Sequence, residues 1–351
     1  MNTMRAARFD PATRRLTVQD VPTPSPAPGQ ALVKVAACGI CHSDLSLLNG
    51  VFRTELPRIT PGHEGAGTVV RLGGPTPGWE VGDRVVLHAG RACGTCAACI
   101  SGAALDDCER IEIMAFDFDG AWAEYVLVPV ASMVRVPDTI PLERAAVLAD
   151  AVSTPYAAVV DTAAVRPAET VGVWGLGGIG THAVQTARMV GAAPVIALDP
   201  LPEARQRALE LGADHAVDPT AVDALDQIAR LTGGRGLDVA IDAVGRGVSI
   251  TQAGRALGHR GRLVMVGMSQ DRIELGPITP FARGKRTAIG HLGYRKEHIE
   301  QLVDLVSLGR MDISRSVSAQ LPLENITEGV RRLEQHEGNP IRIVIRPDST
   351  A

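Results

Sequence analysis

Aromatic residues make up only 3% of this 351-residue chain, which argues against any ligand held mainly by ring stacking, single-stranded nucleic acid first among them. There is no basic block, and the formal net charge is −4, so neither nucleic acid nor an anionic membrane surface is an expected partner. No stretch is apolar enough to span a bilayer. The opening Met1-Asn2-Thr3-Met4-Arg5 lacks the apolar core of a signal peptide, and a cytoplasmic protein is expected. No cysteine follows Cys108. Without a secretion signal the six thiols are expected as metal ligands or nucleophiles rather than disulfides.

What the chain has in quantity is small and branched apolar sequence. Apolar residues reach 45%, enough to bury two cores in a chain longer than the usual single domain. Up to about residue 150 the pattern is mainly β. Short strands are expected between Met4 and Asp20, at Ala31–Ala37, Thr68–Leu72, Asp83–Leu87 and Ala121–Val128, as in a small antiparallel barrel. Past Pro141 the period turns helical over Leu142–Leu148. Strands at Val171–Trp174, Val195–Leu198, Val239–Asp242 and Leu263–Val266 then alternate with helices, which implies a parallel sheet covered on both faces. A helix near Glu297–Leu308 and a strand at Ile341–Ile345 close the chain.

Val171-Gly172-Val173-Trp174 runs directly into Gly175-Leu176-Gly177-Gly178-Ile179-Gly180, which opens a helix. In that setting Gly175 permits the tight turn, Gly177 lets a pyrophosphate approach the backbone, and Gly180 allows close packing of helix on strand. The free N–H groups of the helix start, helped by its dipole, receive the phosphates. Asp199 follows the next strand, nineteen residues beyond Gly180, where a carboxylate accepts from both ribose hydroxyls and repels a 2′-phosphate. NAD is therefore favoured over NADP, although Arg205 nearby could accept that phosphate. A glycine turn of no chemical role is the plainer alternative, and the strand, helix and acid in register weigh against it.

Cys93, Cys96, Cys99 and Cys108 place four thiols within sixteen residues, the donor set of closed tetrahedral structural zinc. A second cluster, Cys41-His42-Ser43-Asp44, needs partners from elsewhere. Cys38-x2-Cys41 alone could be a redox pair, but nothing else resembles a thioredoxin-like unit. One thiolate with His63 supplies two ligands of a catalytic zinc, which requires a third and an open position; Glu64 and Asp150 are the oxygen donors at hand.

The motifs Gly39-Ile40-Cys41-His42-Ser43-Asp44, Gly62-His63-Glu64-Gly65-Ala66-Gly67 and Val81-Gly82-Asp83-Arg84-Val85, with the four-cysteine loop and the late glycine motif, resemble the zinc-dependent medium-chain alcohol dehydrogenases over nearly the whole chain. The resemblance implies an α/β protein, with a GroES-like β-barrel catalytic domain at 1–151 and 291–351 and a Rossmann doubly wound parallel-sheet domain at 152–290. It implies an active site in the cleft between them. It makes Cys41 and His63 ligands of a catalytic zinc and leaves Cys38 a packing role. Asp150 stands where many members have a third, cysteine ligand, and Glu64 matches a residue that can enter the metal shell.

By the same resemblance Ser43 takes the alcohol proton, Asp44 orients His63, His42 and Arg342 lie near the cofactor pyrophosphate, and Gly178, Ile179 and Val266 join the cofactor contacts. Ser46 replaces a histidine that passes the proton onward, and Ala89 replaces a bulky aromatic, which implies room for branched or cyclic substrates. His88 and Trp122 are further pocket candidates by the same alignment. The expected activity is reversible NAD-linked oxidation of a secondary, cyclic or bulky alcohol, with two zinc ions per chain and a homodimer or homotetramer. An NADPH-dependent aldehyde or ketone reductase, or a polyol dehydrogenase, is the alternative within the family. A catalytically dead nicotinamide-binding regulator is the alternative outside it.

Overall fold

The computed structural model describes residues 3–103 and 107–348. The outer ends of the expected catalytic domain, including Met1 and Asn2, lie outside the described residues. The chain divides into two compact units, one of Met1–Ala151 with Arg295–Ala351 and one of Val152–Tyr294. No helix among the described residues is long and apolar enough to cross a membrane.

The first unit is built on a mixed sheet in which Gln30–Ile40 is the longest strand. That strand pairs antiparallel with Glu64–Leu72 on one side and with Ile343–Arg346 on the other, and its first half also carries Tyr125–Pro129. Arg84–Leu87 and Met133–Arg135 extend the sheet beyond Glu64–Leu72, and Ala319–Pro322 runs parallel to Ile343–Arg346 at the far edge. Inward side chains such as Val33, Val35, Val69, Val85 and Val126 form one apolar core, closed by Trp122 and Met133. The expected strand over Ala121–Val128 begins later, at Tyr125. Residues before it run as a loop whose Trp122 fills the core, with the indole N–H donating to the Gly39 carbonyl at 3.1 Å.

The register decides where chemistry falls. The sequence partner of Gly39 across the ladder is Glu64, and of Cys38 is Gly65. A Cβ on Gly39 would meet Glu64 Oε2 at 1.9 Å, so only glycine leaves room for that carboxylate inside the sheet. The long strand ends at Ile40, and Cys41 caps the helix His42–Leu48, its N–H donating to Asp44 Oδ2 at 2.9 Å.

The second unit holds a six-stranded parallel sheet ordered His215–Val217, Val195–Leu198, Val171–Trp174, Leu237–Asp242, Leu257–Met265, Thr287–Gly290. The order reverses between Val171–Trp174 and Leu237–Asp242, the switch point at which open parallel sheets bind ligands beyond their carboxyl ends. Val171–Trp174 and Val195–Leu198 are buried throughout, as strands covered on both faces must be. The strands at His215–Val217 and Thr287–Gly290 escape the sequence pattern because they are edge strands of only 3 and 4 residues, with exposed positions that break a hydrophobic run.

Candidate functional site

Cys41, His63 and Asp150 reach one point from three places: the end of a long strand, the residue before its partner strand, and the end of the 3-10 turn Ala146–Ala149. Asp150 Oδ2 lies 3.4 Å from Cys41 Sγ and 3.7 Å from His63 Nε2. One donor atom from each of Cys41, His63, Glu64 and Asp150 falls within 4.8 Å of all the others, a spacing that a single metal ion can span. The other ring nitrogen of His63, Nδ1, faces Asp44 Oδ1 at 3.4 Å, which turns Nε2 toward the cluster. Asp44 is fully buried and also accepts from the Gly62 N–H at 3.2 Å, so one carboxylate fixes the helix start, the His63 loop and the imidazole together. Ser43 Oγ stands 3.7 Å from Cys41 Sγ, at the edge of the cluster.

The protonation preferences at the cluster follow from burial and from the charges its members set on one another. Burial pushes the Cys41 thiol up, and the negative Asp150 adds to that while Arg342 opposes it. Burial disfavours charge on His63, but Asp44 and then Asp150 outweigh it and lift the imidazole well above its ordinary value. Glu64, wholly enclosed, is pushed up to about 8 by burial, against the pull of Arg342. Arg342 Nη2 lies 2.9 Å from Glu64 Oε1 and Nη1 donates to the Ile40 carbonyl at 3.1 Å, with only 2% of the residue exposed. The arginine therefore sits behind the metal-ligand cluster, on Glu64. His42 is exposed on its short helix, stacked on His336 with ring centroids 5.8 Å apart, and partial desolvation by the surrounding protein, with the charges of Arg342 and His336, lowers it to about 4.

One side chain that the sequence leaves unremarked stands beside His63, with a second behind it. The Phe116 ring is centred 5.7 Å from the imidazole, and Phe52 meets Phe116 edge-on at 5.9 Å. Only the fold brings Phe116 to His63. His88 and Trp122, by contrast, are buried in the barrel: His88 Nδ1 accepts from the Gly90 N–H at 3.1 Å, and Trp122 is fully enclosed. Ala89 is nearly buried, its carbonyl accepting from the Met114 N–H two residues before Phe116. Cys38 is completely buried with Sγ 3.6 Å from the Gly39 carbonyl, and Ser46 uses its carbonyl to hold the turn after its helix.

The four-cysteine loop gathers as its spacing predicts. One sulfur atom from each of Cys93, Cys96, Cys99 and Cys108 lies within 4.8 Å of the rest. The Cys93 N–H donates to Cys108 Sγ at 3.2 Å and the Cys99 N–H to Cys96 Sγ at 3.5 Å, the pattern of backbone donors around thiolates. Cys93 is drawn down to about 5 by the backbone and hydroxyl of Thr95, while Cys99 is pushed up to about 12 by its neighbouring thiols. Four negative sulfurs repel one another unless a cation sits among them, and this donor set fits zinc.

In the second unit Gly175 has φ +81°, and a Cβ on Gly180 would lie 1.6 Å from the Gly175 carbonyl oxygen, so helix Gly178–Met189 can start where it does only with glycine there. Nothing crowds a Cβ at Gly177, which leaves open space at the helix N-terminus. Asp199 stands beside that turn: Oδ2 accepts from the Leu176 N–H at 2.8 Å and Oδ1 from the Leu201 N–H at 2.9 Å. Arg205 is engaged by the Asp199 and Pro200 carbonyls at 2.7 and 2.9 Å, with Asp218 at 3.5 Å. Val266 is buried at the end of its strand, its N–H on the Asp242 carbonyl, and Ile179 packs partly buried against the sheet.

Comparison with known proteins agrees with this layout. Residues 27–138 match the alcohol dehydrogenase GroES-like domain, and 178–307 match the zinc-binding dehydrogenase family. An alcohol dehydrogenase of Geobacillus stearothermophilus is 32% identical over 348 residues, spanning 98% of this chain and all of that one. A sorbitol dehydrogenase of Bacillus subtilis is 29% identical, across 96% of this chain and 95% of its own. Among solved structures, a zinc-binding dehydrogenase of Sinorhizobium meliloti bound to NADP superposes with a TM-score of 0.90 at 29% identity, covering 99% of this chain and all of that one.

Proposed function

Since the chain belongs to the zinc-dependent medium-chain alcohol dehydrogenases and is an oxidoreductase of that family, we propose that it interconverts a secondary, cyclic or bulky alcohol and its carbonyl compound with NAD as hydride acceptor. The observation that carries this reading is the convergence of Cys41, His63 and Asp150, with the far nitrogen of His63 held by Asp44. A thiolate, a neutral imidazole and a carboxylate offer three ligands whose charge balances Zn²⁺, and three protein ligands leave a position for substrate. Zinc held there supplies a Lewis acid that lowers the pKa of a hydroxyl.

The chain's own residues do the rest. Ser43, at the edge of the cluster, takes the hydroxyl proton, and the relay beyond it runs through ribose, water or His42, because Ser46 offers no imidazole. A nicotinamide dinucleotide held by the glycine turn and Asp199 would supply the acceptor for the hydride of the carbinol carbon, while the hydroxyl proton leaves through Ser43, so that alcohol becomes carbonyl. Asp44 keeps the imidazole aligned, and Arg342 pairs with the enclosed Glu64. Gly177 and Gly178 at the helix start would offer backbone N–H groups to the pyrophosphate, Gly175 making the tight turn and Gly180 the close packing on the strand. Asp199 selects against a 2′-phosphate, and Arg205, already committed to two carbonyls, is a poor recipient for one. The four-cysteine loop is assigned a second, structural zinc.

The NADP-bound relative and the sorbitol dehydrogenase relative favour a second reading, an NADPH-linked carbonyl reductase or polyol dehydrogenase. Steady-state kinetics with NAD and NADP on primary, secondary, cyclic and aromatic alcohols and on polyols, with zinc content measured on the same sample, separates them. A preference for NAD of about a hundredfold or more is expected from repulsion of the 2′-phosphate. Preference for NADP overturns the cofactor assignment, and no turnover with two zinc ions bound overturns the activity.

A further inference from the structure

Of the chain's five phenylalanines, Phe116 stands against His63 and Phe52 meets Phe116 edge-on, and each is held by a turn. Phe52 follows the helix that begins after Cys41: the Val51 and Phe52 N–H groups both donate to the Ser46 carbonyl, at 2.8 and 3.0 Å. Phe116 sits at the tip of a tight turn in which Asp117 Oδ2 accepts from the Ile113 N–H at 2.7 Å and the Ala115 N–H donates to the Phe118 carbonyl at 2.8 Å. Ala115 has φ 74°, a left-handed conformation that costs an alanine free energy and that the turn must hold in place. The rings differ from those used for packing. Phe9, Trp122 and Trp174 are enclosed, whereas Phe52 and Phe116 are half-buried, and Val51 next to them is 46% exposed.

Phe116 packs against the cluster of Phe9, Leu47 and Ile59 while remaining half-buried, so the ring beside His63 is fixed on its inner side, with Phe52 edge-on to it. Phe52 and Phe116 meet at 71°, an edge-to-face pair, and Phe116 is tilted 47° to the imidazole. Such a pair leaves a ring face and a ring edge free, to which a third aromatic ring adds in the same geometry and a saturated ring of equal bulk does not.

We infer that Phe52 and Phe116 are specificity-determining residues that select alcohols whose carbinol carbon is attached to an aromatic ring. The inference rests on the dehydrogenase reading above and narrows its substrate class. The test compares kcat/KM for benzyl alcohol and cyclohexylmethanol, which share a skeleton and differ in ring saturation, on zinc-loaded protein with NAD. The protein is expected to prefer benzyl alcohol by about fivefold, and Phe116→Leu or Phe52→Leu to bring that ratio to about one. A second readout needs no turnover: saturation-transfer NMR of benzyl alcohol on the zinc-loaded protein without dinucleotide, expected to show a ring-proton signal that either variant abolishes. Phe52→Leu serves where Phe116→Leu fails to fold, because its turn is closed by backbone alone.

Equal efficiency for the two alcohols, or a preference that survives both variants, overturns the inference and leaves the dehydrogenase reading intact. Absence of turnover for every alcohol overturns that reading instead. In that case a ring-proton signal present in the parent protein and missing from the variants still supports the aromatic wall, and a parent protein without that signal overturns it.

Discussion

Cys93, Cys96, Cys99 and Cys108 come from one loop, whereas Cys41, His63 and Asp150 are brought together from separate parts of the sheet and the turn beyond it. The loop offers four identical soft donors, and its backbone N–H groups already point at sulfur. The other cluster offers three different donors, with an enclosed acid paired to Arg342 and the Phe116 ring against His63. A closed shell of like ligands suits a metal that ties chain together, and an open shell of unlike ligands suits one that meets substrate. The lesson is that the same element can be held by sequence proximity or by register, and only the second arrangement leaves a position free.

Cys41→Ser breaks the comparison most sharply. Turnover is expected to fall by about a thousandfold or more, as for loss of a metal's Lewis acidity, while NAD binding persists and zinc drops from two ions per chain to one. Metal analysis together with kinetics and nicotinamide fluorescence checks this; full activity in that variant sinks the mechanism.

Next in size is the buried pair behind the open site, which has no counterpart in the loop. Arg342→Met leaves Glu64 enclosed without its guanidinium and is expected to destabilise the protein by about 3 kcal/mol. Adding Glu64→Gln should recover most of that in denaturant melts, since both partners then leave together. A double variant no better than the single one would show that Arg342 acts on Cys41 or Asp150 instead.

Cys96→Ser acts on the loop alone. One zinc ion should be lost and the melting temperature should fall by about 5 °C, with kcat of the remaining folded enzyme changed far less than by Cys41→Ser. Equal losses of activity in the two variants would erase the distinction between structural and reactive metal.

The smallest effect is a difference in thiol chemistry with pH. Cys93, drawn down to about 5, is thiolate at pH 7, whereas Cys41, pushed up by burial, is thiol there. In metal-stripped protein, brief iodoacetamide labelling read by mass spectrometry should therefore be nearly flat for Cys93 between pH 6.5 and 9, conditions chosen about the usual thiol range. Cys41 labelling should climb with pH over the same interval. The reverse order would mean that the loop thiols need zinc to become thiolates.

Much of this was legible in residue order. The four cysteines and the glycine motif are local devices: their partners lie within a few residues, so spacing alone encodes the geometry. Cys41 and His63 were legible through the motifs around them. The path of Arg342 to Glu64 was not, because it joins residues far apart in the chain and depends on how the last strand docks on Gln30–Ile40. Nor was Phe116, whose placement depends on a left-handed alanine that no propensity foretells.

The sequence by itself determined the α/β class, the family, the four-thiol loop and the glycine turn, because each is written in short-range pattern or composition. It took the folded chain to enclose Glu64 opposite Gly39, to face it with Arg342, to tie helix, loop and imidazole together through Asp44, and to set Phe116, with Phe52 edge-on to it, against His63. The physical reason is register: a strand's side chains alternate between faces, so a slip of one residue would send Glu64 to the opposite face of the sheet and leave Cys41 and His63 without a common point.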